Sequence, residues 1–332
     1  MNAVQYLKFS NHQIVKLASG RKPPCKQSQT HPLVPEKAHY FWMDKASITT
    51  KLKIMAAPLY PCIWFNGDAA MAVQRYISVF PDAKITTETP MVTMFRIANQ
   101  SFMTLNGGPQ FSPNPSISFY VTFPDTAVLE EVWKQLASDG HVLMPLDKYD
   151  WSPRYGWLQD AWGVNWQLTV ADGKQGYSIT PLLMFCGEHQ NQARQAIDYY
   201  QQLFPASSVD FVMNYQPGQS KTGEGIVHAV FHLAGSPFRA MDSAVEQPFT
   251  FSEGLSLVVN CDTQEEIDHY WEQLTDGGQE SQCGWCRDRF GVWWQVVPSV
   301  LGQLMTDPVR APRVMQALLK MKKFDIGVLE RA

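Results

Sequence analysis

In 332 residues there are only six cysteines, Cys25, Cys62, Cys186, Cys261, Cys283 and Cys286, too few for a disulfide scaffold and compatible with a reducing compartment. Long apolar runs are missing too: nothing approaches the ~20 residues that span a bilayer. The N-terminus lacks the apolar centre of a secretory signal. The expectation is therefore a soluble, cytoplasmic protein with no membrane partner. Charged residues are a modest 17%, and eleven tryptophans stand out against them. The length suits two domains or one large one, with ample chain to bury a core.

The net charge of −4 hides an asymmetry. Residues 1–54 hold nine Lys or Arg against two Asp or Glu, and the remainder is acidic. Pro23, Pro24, Pro32 and Pro35 interrupt any amphipathic presequence helix there. Residues 1–57 are read as a basic, disordered extension, with Met43 and Met55 as alternative starts. No nucleic-acid partner is expected.

What the chain does have is a repeat. Tyr155 to Gln167, YGWLQDAWGVNWQ, returns as Cys283 to Gln295, CGWCRDRFGVWWQ, at an offset of 128 residues. Repeats at a fixed period govern the fold and are read first. Each copy reads as a strand ending in Gly-Trp, an Asp-x-x-Gly turn and a second strand whose side chains alternate with period two. Around these copies the pattern of strand, helix and three strands recurs. Ala72, Tyr76 and Phe80 form one helical stripe, and Leu129, Val132, Trp133 and Leu136 another. The segment with Tyr200, Phe204 and Pro205 repeats that with Tyr76, Phe80 and Pro81. The division expected is residues 58–170, a linker at 171–178, residues 179–305, and a helical tail at 306–332 with one helix over 311–324. The first half carries an extra stretch, Leu143 to Arg154, read as a lid over a pocket or a plain surface loop.

The hairpin, together with Trp64-Phe-Asn-Gly-Asp68, Tyr76 to Pro81, Leu105-Asn-Gly-Gly108, Tyr200 to Pro205 and Met321 to Ile326, resembles the PhnB-like branch of the vicinal oxygen chelate superfamily. Glyoxalase, bleomycin-resistance proteins and extradiol dioxygenases are its relatives. The resemblance spans about residues 58–332. It implies an α+β fold of two tandem glyoxalase/bleomycin-resistance-type domains, each built of paired βαβββ modules that form a cup. It also implies an intrachain pseudo-dimer, with a homodimer left open.

Enzymes of that superfamily hold a divalent metal with His, Gln or Glu from the first and last strands of paired modules. Laid on this chain, the first-strand positions fall near Pro61 and Pro181, and the fourth-strand positions near Phe102 and Phe238. The fifth and eighth fall on Ser118 and Ser256, and on Gln167 and Gln295. Only the glutamines are candidate ligands, so no cofactor is evident and a divalent metal is disfavoured, though left open. His228 and His232 share a strand face; four residues apart on a strand they lie roughly 13 Å apart, too far to grip one ion. The bland alternative is a solvated or locally bonded pair. The tryptophans, Trp157 and Trp285 among them, suit stacking on a flat ligand or simple core packing. Cys283-Gly-Trp-Cys286 looks like a redox motif but precedes a strand, where no helix N-terminus lowers a thiol pKa. Asp160 and Asp288 read as turn caps.

Relatives in this branch are sometimes labelled ubiquinone methyltransferases, yet no glycine-rich strand-to-helix turn for a nucleotide-like cofactor appears. Three functions stay open. One is a binding protein for a small apolar or aromatic molecule in metal-free cups, lined by Ser118, Tyr120, Trp157, Gln167, His228, His232, Ser256, Trp285 and Gln295. The second is a metal-dependent lyase, isomerase or dioxygenase with an atypical ligand set. The third is an interaction protein with filled cups.

Overall fold

The structure, a computed structural model, describes residues 57–171 and 176–332. The basic extension and the middle of the linker lie outside the described residues. Four modules follow one another. The first is β1 (Tyr60–Phe65), α1 (Ala69–Val79), β2 (Lys84–Glu88), β3 (Val92–Ile97) and β4 (Gln100–Asn106). The second is β5 (Ile117–Phe123), α2 (Thr126–Ala137), β6 (His141–Tyr149), β7 (Ser152–Gln159) and β8 (Asn165–Val170). The third is β9 (Ser178–Phe185), α3 (Ala193–Leu203), β10 (Ser208–Asn214), β11 (Ile226–Leu233) and β12 (Ser236–Asp242). The fourth is β13 (Leu255–Cys261), α4 (Gln264–Thr275), β14 (Gln279–Glu280), β15 (Trp285–Arg287) and β16 (Trp293–Pro298).

The sixteen strands form two eight-stranded sheets, ordered β14-β15-β16-β13-β1-β4-β3-β2 and β10-β11-β12-β9-β5-β8-β7-β6. Each sheet takes one module from each half. In the first, β1 lies antiparallel to β13, with Cys62 opposite Ser256. In the second, β5 lies antiparallel to β9, with Ser118 opposite Leu182. The expected α+β fold of tandem, paired βαβββ modules is present, but the expectation that each half forms a cup from its own two modules is corrected: the first module shares a sheet with the fourth, and the second with the third.

Helices cover the outer face of each sheet, and the helical layers of the two sheets meet in one core. Strand parity decides which residues enter it. Ile63, Phe65, Ile179, Leu183 and Phe185 point to the helices, so Cys62, Trp64, Leu182 and Met184 point into the cups. The core is held across the helix layer by two matching buried carboxylates. Asp160 accepts from Tyr76 Oη (2.7 Å), Trp166 Nε1 (2.9 Å) and the amides of Trp162 and Val164. Asp288 accepts from Tyr200 Oη (2.6 Å), Trp294 Nε1 (2.8 Å) and the amides of Phe290 and Val292. Each thus caps its own turn and ties the two modules of one half together. The turns close on Gly163 and Gly291, whose φ values of 85° and 82° suit glycine.

Two further expectations change. The stretch Leu143 to Arg154 is neither lid nor loop. It extends β6 and β7 as a bulged hairpin at the sheet edge, with Tyr149, Trp151 and Tyr155 packed together near the tip. After α5 (Leu301–Thr306), the tail is not one helix over 311–324 but two short ones: α6 (Ala311–Leu318) and α7 (Ile326–Arg331). Helix α6 stops because the chain after it is used otherwise. The carbonyls of Met321 and Lys322 accept from the amides of Cys283 and Gly284, just before β15.

Candidate functional site

The two cups share a scaffold and differ in chemistry. Around the first sheet's centre stand Cys62, Met103, Ser256 and Gln295, with Cys62 beside Met103 on β4 and opposite Ser256 on β13. Gln295 Nε2 donates to Ser256 Oγ at 3.0 Å. Burial pushes the Cys62 thiol up to about 12, against smaller opposing contributions from Gln295 and Ser256. Trp64 and Trp285 meet edge to face at 5.8 Å, Trp293 lies against Trp285, and Phe111 closes on Trp64. Trp285 and Trp293 are buried. The protein's own indoles therefore fill much of this cup.

The second cup has Ser118, Gln167, Leu182 and Arg239 at the equivalent places, since Arg239 pairs with Leu182 as Met103 pairs with Cys62. Gln167 donates through Nε2 to Ser118 Oγ (2.9 Å) and accepts at Oε1 from Tyr155 Oη (2.8 Å). Both polar floor groups are thus satisfied within the protein. Leu182, Met184 and Cys186 form an apolar floor on which Tyr120, Trp157, Met241 and Phe249 pack. Tyr120, Trp157, Met241, His228 and Arg239 remain half-buried, so this cup's wall reaches solvent.

Arg239 is the charged group in that wall. Its Nη1 lies 2.7 Å from His228 Nε2, and its guanidinium carbon sits 4.1 Å from the centre of the Tyr120 ring. Guanidinium only donates, so His228 Nε2 accepts and the imidazole is neutral. Burial first, and the Arg239 charge second, hold the His228 pKa down at about 4. Burial likewise lowers that of Arg239, and its Nε has no hydrogen-bond partner. Among the described residues Arg239 makes no ion pair.

The sequence candidates thus fall into two groups. Ser118, Tyr120, Trp157, Gln167 and His228 meet in the second cup, and Ser256, Trp285 and Gln295 in the first. His232 leaves the group: its Nδ1 pairs with Asp210 at 3.1 Å. The fifth- and eighth-strand positions fall where the resemblance puts them. The first- and fourth-strand positions are corrected by one residue, because Phe102 and Phe238 lie in the helix-side core and so do Ile63 and Leu183, which share a strand face with Pro61 and Pro181 two residues before them. Cys62, Leu182, Met103 and Arg239 take their place. Arg239 was missed for that reason, although the alternation in Ser236–Asp242, SPFRAMD, carries the signal.

Neither corner set offers the imidazole and carboxylate donors of the superfamily's enzymes. The second contains an aliphatic side chain and a cation, and the first one buried thiol with a thioether, a hydroxyl and an amide. Among the described residues no three His, Cys, Asp or Glu side chains converge on a point. The cysteine pair is not activated, because burial raises the pKa of both Cys283 and Cys286. In chain order Asn106-Gly107-Gly108 and Asp276-Gly277-Gly278 both lead toward strands and not into a helix, although the Asn106 side chain accepts from the amide of Ala69 at the start of α1 (3.1 Å).

Two cups built from paired βαβββ modules, with their helices meeting between them, define the glyoxalase-type fold of the vicinal oxygen chelate superfamily. Within it, the chain belongs to the family described as 3-demethylubiquinone-9 3-methyltransferase, PhnB-like in kind, whose model matches residues 57–169 and again 177–297. Among solved structures, a PhnB protein from Bacillus cereus described as a putative 3-demethylubiquinone-9 3-methyltransferase is 32% identical. The match covers 34% of this chain and 98% of that one, with a TM-score of 0.32. Glyoxalase I from Zea mays is 10% identical over 76% of this chain and 96% of its own, with a TM-score of 0.52, a likeness of fold alone. No curated protein matches the chain. Among the described residues no helix is long and apolar enough to cross a membrane.

Proposed function

We propose that the protein binds a small, largely apolar or aromatic molecule in its second cup without the help of a divalent metal, while the first cup serves as its structural counterpart. One contrast carries the reading: the second cup keeps a half-buried wall over an apolar floor, whereas Trp64, Trp285 and Trp293 occupy the first. An apolar floor with a few placed polar groups is the usual make-up of a small-molecule site. The corner residues support a metal-free mode, since Arg239 repels a cation where the superfamily's enzymes would place one. The family's description names a methyl transfer, but the glycine pairs open toward strands and give no support to a nucleotide-type cofactor site.

The test is a titration of the full chain with N-phenyl-1-naphthylamine, an uncharged aromatic whose emission rises in apolar surroundings. The reading expects one site per chain, lost in Met241→Trp and insensitive to chelator. No binding, or binding that disappears with chelator and returns with zinc or manganese, contradicts it.

A further inference from the structure

We infer that the second cup selects a molecule bearing a carboxylate on its apolar body, with Arg239 as the group that recognises it. This rests on the small-molecule reading above and names the chemistry of the ligand.

Arg239 is half-buried in the cup wall, and among the described residues no carboxylate of the protein's own pairs with it. Its neighbours are a neutral imidazole that takes Nη1 and the face of Tyr120, while Nε is left without a partner. A cation withdrawn from water is costly unless it is paired. His228 and the ring solvate it but do not neutralise it. A carboxylate from outside would supply the compensating charge, and an edge of a guanidinium is shaped to take both of its oxygens.

The first cup shows that the fold itself does not need this charge. There the positions of Arg239, His228 and Tyr120 are held by Met103, Val92 and Val258, on matching strands in matching register. An apolar trio serves the same scaffold, so the cationic trio answers to something that enters the second cup. Beside it, Leu182, Met184, Met241 and Trp157 present an apolar surface, which favours an apolar or aromatic body. The ligand class is therefore a monocarboxylate with a hydrophobic remainder. Tyr120 adds a ring face for a flat one.

The experiment compares naphthalene-2-carboxylate with naphthalene-2-carboxamide, equal in shape and different in charge, by calorimetric titration of the full chain. Wild type is expected to bind the carboxylate roughly 10-fold or more tightly than the amide. In Arg239→Met, which copies the residue of the first cup and so suits the fold, the two affinities should come within about two-fold. Arg239→Lys, keeping the charge without the fork, should restore part of the preference. Met241→Trp should block both molecules. Equal affinities in wild type, or a carboxylate preference that survives Arg239→Met, would overturn the inference and leave the small-molecule reading standing. If neither molecule binds, the small-molecule reading itself falls.

Discussion

At the scale of single residues, the two buried aspartates matter most for stability. Asp160 and Asp288 each accept from a tyrosine hydroxyl, an indole and two backbone amides, and burial nonetheless raises the pKa of both. Orphaning a buried donor costs about 1–3 kcal/mol. Asp288→Ala is thus expected to lose about 3 kcal/mol or more, read as a fall in the urea midpoint at constant slope; a loss under about 0.5 kcal/mol would contradict this role. Half of it was legible beforehand, because Asp-x-x-Gly announces a cap. The other half was not, since Tyr76 and Tyr200 lie 84 and 88 residues away in sequence. His228 gives a pH prediction. Its pKa is about 4 in the folded protein against an ordinary 6.5, so as pH falls below 6.5 the unfolded chain takes the proton first. Its contribution is full above pH 6.5 and is lost progressively down to about 4. Melting curves of wild type and His228→Gln should therefore diverge across that window, by ~2 °C or more at the acid end, with wild type falling faster. Parallel curves would mean that the ring titrates freely. Arg239 was the costliest omission at this scale. In YPCIWF and its copy both strand faces are apolar, as befits buried strands, so alternation could not say whether Pro61 or Cys62 faces the cup.

At the scale of elements, the tail and the sheet edge depend on each other. Gly284 has φ of 79°, and a Cβ there would come within 2.5 Å of the Phe324 ring and 2.7 Å of the Val296 carbonyl oxygen. Gly284→Ala is expected to cost about 1–3 kcal/mol and to loosen residues 319–332. Limited proteolysis should then release that tail early, while an unchanged cleavage pattern would show that the contact carries no strain. Helices were legible from their 3.6-residue stripes: Leu129, Val132, Trp133 and Leu136 lie within α2, and the stripe Ala72, Tyr76 and Phe80 runs one residue past the end of α1. The single long tail helix was not. Its apolar spacing is helical, but the carbonyls of Met321 and Lys322 are taken by the strand edge, a tertiary demand invisible to local pattern. The hairpin tip was misread for a similar reason: Leu143 to Arg154, LMPLDKYDWSPR, shows no clean period-two alternation in sequence, yet Tyr149, Trp151 and Tyr155 order it by packing together.

At the scale of the whole molecule, the decisive feature is that each cup is made by both halves. The repeat revealed four modules but could not reveal which edges join, since β1 could in principle have met β5 as readily as β13. The consequence is testable: the fragment 58–170, produced alone, exposes the edges of β1 and β5 and should pair with a second copy. Sedimentation should give a dimer, and a stable monomer would contradict the sharing of sheets. Sharing also lets the cups diverge, one filled by indoles and the other carrying Arg239 over an apolar floor. The most direct measurement is a crystal structure of the full chain grown with naphthalene-2-carboxylate. We expect one molecule per chain, in the second cup, with its carboxylate on Arg239 and its rings over Leu182 and Met241. A molecule seated in the first cup, or a metal ion gripped where Arg239 should stand, would contradict it.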